Sequence, residues 1–370
     1  MIPYLISSPD LDTNRETLSR SGYQLGELVS AVDRNLKEVG PVATGKLLHY
    51  TADLISSGGK DIFARLCYEH SFENIGMASP RIFMYLRRRF RELDDVYERL
   101  ETESFYKNLD VQKKIAEVAL VIQTQPKKPK LKLPTADPRV HGSKEWLKAQ
   151  LRAPDSVAVK RVWQSSHDQA ELLHAANEML YACQEGALSR ALFWLKWMFD
   201  EDAMLRKELK GNAGLTTMDR GGGSSKKQGA AVGQYIAAVL AEAYKDLAGR
   251  GFIRMNEEFQ GLIDLYRCSD SRITGRRRQD TLVIMLQILT EVPRLRVPAA
   301  PELIRDKIAM ERAVSQVGIF FQEVLSQPPV GKQLPKTVAK KKATKQKKAV
   351  NYQDQDDLYN DVLNMYFDRK

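Results

Sequence analysis

Gly40-Pro41-Val42-Ala43-Thr44-Gly45-Lys46 has the G-x-x-x-x-G-K spacing with which a glycine-rich loop cradles phosphates while a lysine reaches them. The position that should offer a Ser or Thr hydroxyl to magnesium is Leu47, and the residues before Gly40 form a polar amphipathic pattern where a phosphate loop requires a buried strand. The stretch therefore reads as a helix stop, a turn and a new helix over Leu47 to Ser56. Cys67 and His70 are spaced as metal ligands can be, but no second pair completes the four that a closed zinc site needs, so no metal and no cofactor is expected. His167 and His174 lie seven apart on one helix without acidic partners on that turn, and His49 and His141 have none visible in the sequence. G-x-S-x-G, H-E-x-x-H and G-x-G-x-x-G do not occur. No catalytic residue is named, and the chain reads as a non-enzyme.

Charge offers a second chemistry. The 370 residues carry a net +10, and two segments hold most of it. PKKPKLKLP at 126–134 brings Lys127, Lys128, Lys130 and Lys132. Lys332, Lys336, Lys340, Lys341, Lys342, Lys345, Lys347 and Lys348 form a second run with no acid among them. Both resemble nuclear-import signals and would hold polyanions weakly through charge alone, nucleic acid or an anionic membrane included. Neither run contains the aromatic residues that stack on single strands. Arg87, Arg88, Arg89 and Arg91 lie beside Glu92, Asp94 and Asp95; they read as a solvated face, the alternative being a nucleic-acid contact through Arg87, Arg88 and Arg91. GGGSSKKQ at 221–228 could offer amides and lysines to phosphate but has no strand before it, and all of GNAGLTTMDRGGGSSKKQG reads as a mobile loop.

The elements that position these residues are helices. Leu25, Leu28, Val29, Val32 and Leu36 give helical spacing over 22–39, and Phe83, Leu86, Phe90, Leu93, Tyr97 and Leu100 draw one seam along a helix from Pro80 to about Lys107. Helices are also expected over 61–70, 111–123, 144–151, 229–248, 253–267, 280–292 and 301–326. No segment sustains the strict alternation of a strand, so the fold class is all-α, a multi-helix bundle in two parts. The densest apolar pattern spans 166–210. Ser166 and Gln169 have capping-box spacing, which places a helix start there. Ala170, Leu173, Ala176 and Leu180 form its stripe, and Leu192, Trp194, Leu195, Trp197 and Phe199 are the candidate core.

Composition divides the chain into a helical domain over 1–124, a basic Pro/Lys linker over 125–140, a second helical domain over 141–328, a lysine-rich linker over 329–351 that should be disordered when free, and a docking helix over 352–370. In that last segment Leu358, Val362, Met365 and Tyr366 share one face, with aspartates toward its start. About three turns are too few to be stable alone, so the segment reads as partner-binding, with Lys340, Lys341, Lys342, Lys345, Lys347 and Lys348 lying along an acidic surface. Three scattered cysteines suit a reducing compartment, and the N-terminus lacks the pattern of a signal peptide.

The stretch from Trp163 to Asp202, above all HAANEMLYACQEGALSRALFWLKWMFDED, resembles virion proteins encoded by nucleocytoplasmic large DNA viruses, especially those of algae. An Ala/Cys-rich helix followed by W-L-K-W and an acidic triplet carries the likeness. The resemblance implies a minor capsid-like structural protein beneath an icosahedral shell, an oligomer within a particle whose tails lace neighbours together. Its partners would be major or other minor capsid proteins, and its location the virion, otherwise the cytoplasm or nucleus. The runner-up is a nucleic-acid-associated accessory factor in replication or transcription.

Overall fold

The computed structural model describes residues 18–135, 138–141, 144–210, 214–221, 230–251, 257–295 and 302–327. The fold is all-α, and the only β pairings among the described residues are two isolated bridges, Leu18 with Gln24 and Asp168 with Thr216. In chain order the helices are α1 (Leu25–Lys37), α2 (Pro41–Ser56), α3 (Lys60–Asn74), α4 (Arg81–Arg99), α5 (Thr102–Lys107), α6 (Leu109–Thr124), α7 (Pro138–His141), α8 (Lys144–Gln150) and α9 (Val157–Val162). There follow α10 (Ala170–Gln184), α11 (Leu188–Glu208), α12 (Ala230–Gly249), α13 (Glu257–Arg267), α14 (Gly275–Leu295), α15 (Lys307–Ser315) and α16 (Val317–Ser326).

These elements fall into two compact units. The first contains residues 18–70, 88–125 and 304–327, and the second residues 71–87 and the described part of 126–303. A change of unit at Gln125 falls at the composition break, but the segment 304–327 groups with the first unit and not with 141–303 as the sequence suggested. It forms two helices, α15 and α16, and α16 packs on α2 and α6 in the first unit with Val317, Phe321 and Val324 buried. Helical periodicity fixes which face of a segment is apolar; it says nothing about which neighbour covers it.

In the first unit, α2 starts at Pro41 rather than Leu47. Gly40 takes φ +121° at the N-cap, a backbone that L side chains rarely adopt, and Pro41 follows at the first helical position, where a missing amide costs nothing. Gly45 and Lys46 are therefore helix residues, and the phosphate-loop reading has no loop to stand on. α2 packs on α6, and Thr44 Oγ1, near the start of one, donates to Gln123 Oε1, near the end of the other, at 3.0 Å. Of the seam read for α4, Phe83, Leu86, Phe90 and Leu93 are buried while Tyr97 and Leu100 are half-buried, and Phe90 meets Phe63 and Tyr68 at ring distances of 6.3 and 5.6 Å. The helix stops at Arg99, however, and α5 begins anew after an extended Glu101, so 80–107 is two helices.

In the second unit, α10, α11, α12 and α14 pack on one another, and residues 282–286 of α14 are buried all round. Leu192, Trp194, Leu195 and Trp197 of α11 are buried as expected, whereas Phe199 is half-buried. The α10 stripe is rotated. Leu172, Ala175, Ala176, Met179 and Leu180 are buried while Ala170 is exposed and Leu173 half-buried, because α9, α11, α12 and α14 cover more than one side of that helix. Among the described residues no helix is long and apolar enough to cross a membrane.

Candidate functional site

The residues with the most concentrated chemistry in the second unit are buried carboxylates that hold loops. Asp168, fully buried, accepts from Thr216 Oγ1 at 2.6 Å, from the Gln164 amide at 2.8 Å and from Arg220 Nη2. Arg220 also donates to Thr216 Oγ1 at 3.1 Å and lies 4.9 Å from the Tyr235 ring centre. Asp202 accepts from the Leu215 amide at 2.9 Å and from Arg206 Nε at 2.8 Å. Gly214 packs so closely on Asp202 and Arg206 that a Cβ would stand 2.1 Å from the carboxylate oxygen, so any other residue there would displace the Asp202–Arg206 pair.

The outcome is that 214–221, read from sequence as part of a mobile loop, is fastened to the start of α10. The capping box is absent for the same reason: helix α10 begins at Ala170 with no side-chain cap. Gln169 sends its side-chain amide to Gly214 O at 2.9 Å instead of back toward Ser166. On the next turns Glu178 accepts from the amides of Arg152 and Ala153, and Asn177 from that of Ser156 at 3.0 Å, which pins 152–156. Of these residues only Gln169 stood out in the sequence, and for a different partner. Asp202 and Arg206 at helical i,i+4 spacing were visible as a pair, but Asp168 finds its partners about fifty residues away.

The basic segment at 126–134 is likewise held. The Lys128 amide donates to Asn74 O at 2.7 Å, the Lys130 amide to Glu73 O at 3.1 Å, and Lys130 Nζ lies 2.6 Å from Asp280, itself paired with the buried Arg277. Lys127, Lys128 and Lys132 stay exposed, while Lys130 is half-buried against Asp280.

The sequence-predicted sites fare unevenly. Arg87 is 21% exposed and 3.4 Å from Asp264, and Arg89 is held by Glu92 and Glu117. Arg88, 69% exposed, and Arg91 face outward, so Arg87, Arg88 and Arg91 do not form one free cationic stripe. Cys67 is buried, and its neighbour His70 engages Asp33 through Nδ1 at 3.0 Å. Burial alone would raise the Asp33 carboxyl; His70 and Lys37 outweigh it and hold it at about 2. Among the described residues no group of three or more His, Cys, Asp and Glu side chains is placed to hold a metal ion. Leu358, Val362, Met365 and Tyr366, with Lys340, Lys341, Lys342, Lys345, Lys347 and Lys348, lie outside the described residues.

One buried acid is not satisfied. Glu201 on α11 is 7% exposed and its Oε2 has no hydrogen-bond partner. Burial, then Glu208 and Glu171, push its pKa up to about 7. The folded state thus binds this proton more tightly than the unfolded chain. Its contribution is fully present below about pH 4.5 and is lost as pH rises toward 7. Glu201→Gln is therefore expected to raise stability at pH 8 by about 3 kcal/mol and to change little at pH 4.5. Thermal melts of both proteins across that range check it; a constant difference at every pH would contradict the assignment.

The class defined by these features is an all-α protein whose buried ionic groups fasten loops onto helices. Comparison with protein-family models, with curated proteins and with solved structures finds no match for the chain.

Proposed function

We propose that the chain is a structural component of a multi-subunit particle, of the minor-capsid kind, in which the helical units are a fixed platform and the C-terminal segment links neighbouring subunits. The observation that supports this most is how buried charge is used. Asp53, Asp168, Glu178 and Asp202 each accept from backbone amides, and most of these amides belong to loops. Asp53, for example, takes the Ser19 hydroxyl at 2.6 Å and the Ser21 amide at 3.2 Å, ordering the turn before α1. A reaction centre turns such groups toward a substrate; here they hold the surface in one shape, which is what repeated contact with neighbours needs. The nucleic-acid reading draws less support, because Arg87 and Arg89 are already met by carboxylates.

The linking element would be 352–370, with Leu358, Val362, Met365 and Tyr366 entering an apolar surface and the preceding lysines bridging the gap. The stretch from Pro329 to Tyr352 reaches about 80 Å when extended, enough to leave its own subunit. Replacing Leu358 and Val362 by Asp is expected to abolish association of the full-length chain, read by sedimentation velocity, while the melting temperature stays unchanged. Normal association of that variant would overturn the proposal.

A further inference from the structure

We infer that the half-buried aromatic strip beside Arg190, on α7, α8, α10 and α11, receives the acidic C-terminal segment of a second copy of this chain. The inference rests on the tail-mediated linkage just proposed and names its receiving surface. Arg190 lies in the first turn of α11, and its guanidinium sits 5.4 Å from the Tyr181 ring centre on α10. Its Nε and Nη2 are shielded from water and have no acceptor. The contrast within the same unit is sharp: Arg206, Arg220 and Arg277 each meet a carboxylate. Donors shielded without an acceptor lose the hydration they had in water and gain nothing in return, so this guanidinium gains most from a carboxylate brought to it. Meeting that carboxylate requires the side chain to leave the Tyr181 ring and turn its fork outward, a rotamer change of the kind common at interfaces.

One turn further along α11 lies Phe193, half-buried, with the rings of His141 at 5.4 Å and Trp146 at 6.1 Å. Helical residues three apart share a face, so the cation and the aromatic strip are presented together. The matching partner carries acids interleaved with apolar side chains at helical spacing. Within this chain 352–370 does so, with Asp357 and Asp361 immediately preceding Leu358 and Val362. If the segment docks as a helix, Asp357 and Asp361, four apart in sequence, would share one face and either would meet Arg190 while Leu358 and Val362 cover the rings.

The test is charge reversal in the full-length chain, read by sedimentation velocity over a concentration series, with thermal melts to confirm folding. Glutamate at position 190 suits the N-terminal turn of a helix, so Arg190→Glu is expected to fold. Its self-association should weaken about tenfold or more, the scale of a lost charge-assisted contact. Adding Asp357→Arg and Asp361→Arg to Arg190→Glu should restore most of that loss. If Arg190→Glu associates like the parent while Leu358→Asp/Val362→Asp does not, this surface is wrong and the linkage stands. If the tail variant itself associates normally, the linkage falls. A parent chain that stays monomeric throughout the series, or a loss at position 190 that the reversal does not rescue, overturns the pairing.

Discussion

Trp194→Ala is expected to destabilise the second unit by about 3–5 kcal/mol, the range for removing a large buried aromatic side chain. Trp194 is 3% exposed, and its ring centre lies 5.5 Å from Phe193, 5.8 Å from Trp197 and 5.9 Å from Trp146. Truncation leaves a void bounded by three rings on two helices. Trp197 is tied by its Nε1–H donating to His141 O at 2.9 Å, so the cluster has little freedom to collapse. For a unit of this size the melting temperature should fall by roughly 6–20 °C. A melt within a degree or two of the parent would mean that α11 is not a central element.

Asp168→Ala is expected to cost as much, by another mechanism. It leaves Arg220, whose side chain is 8% exposed, without its counter-charge, and removes the acceptor of Thr216 Oγ1 and of the Gln164 amide. Breaking a buried pair by deleting one partner costs about 3–5 kcal/mol, since the remaining charge is uncompensated. Removing both is milder, so Asp168→Ala combined with Arg220→Met should fall well short of the sum of the single effects. Chemical denaturation of the four proteins of this cycle checks the prediction. Additive effects would show that the pair does not hold 214–221 in place.

The α11 core was legible because Leu192, Trp194, Leu195 and Trp197 crowd one short stretch, and so was the α4 seam, whose three- and four-residue steps need no partner to be recognised. The all-α class followed from the absence of strict alternation. What escaped was whatever depends on residues distant in sequence. Glycines and polar residues at 211–229 carry the composition of a loop, and only the fold reveals that Asp168 and Asp202 hold its described part. Ser166 and Gln169 satisfied a local capping rule, but a tertiary hydrogen bond from Gln169 to Gly214 took the side chain elsewhere. The lysines at 126–134 looked alike in sequence; Asp280 selects Lys130 and leaves its neighbours exposed. Arg190, from sequence one cation among many, stands out only because its neighbours' burial leaves two of its donors without an acceptor.

The central claim is that this chain is built to be part of an assembly, and quantitative mass spectrometry of purified particles from the system that encodes it tests that most directly. The account predicts the chain at a fixed ratio to the shell subunit, retained through density-gradient purification and salt washing, with cross-links from 329–370 to another subunit. A chain that is absent from such particles, or that washes away with the soluble fraction while replication or transcription complexes retain it, would contradict the account.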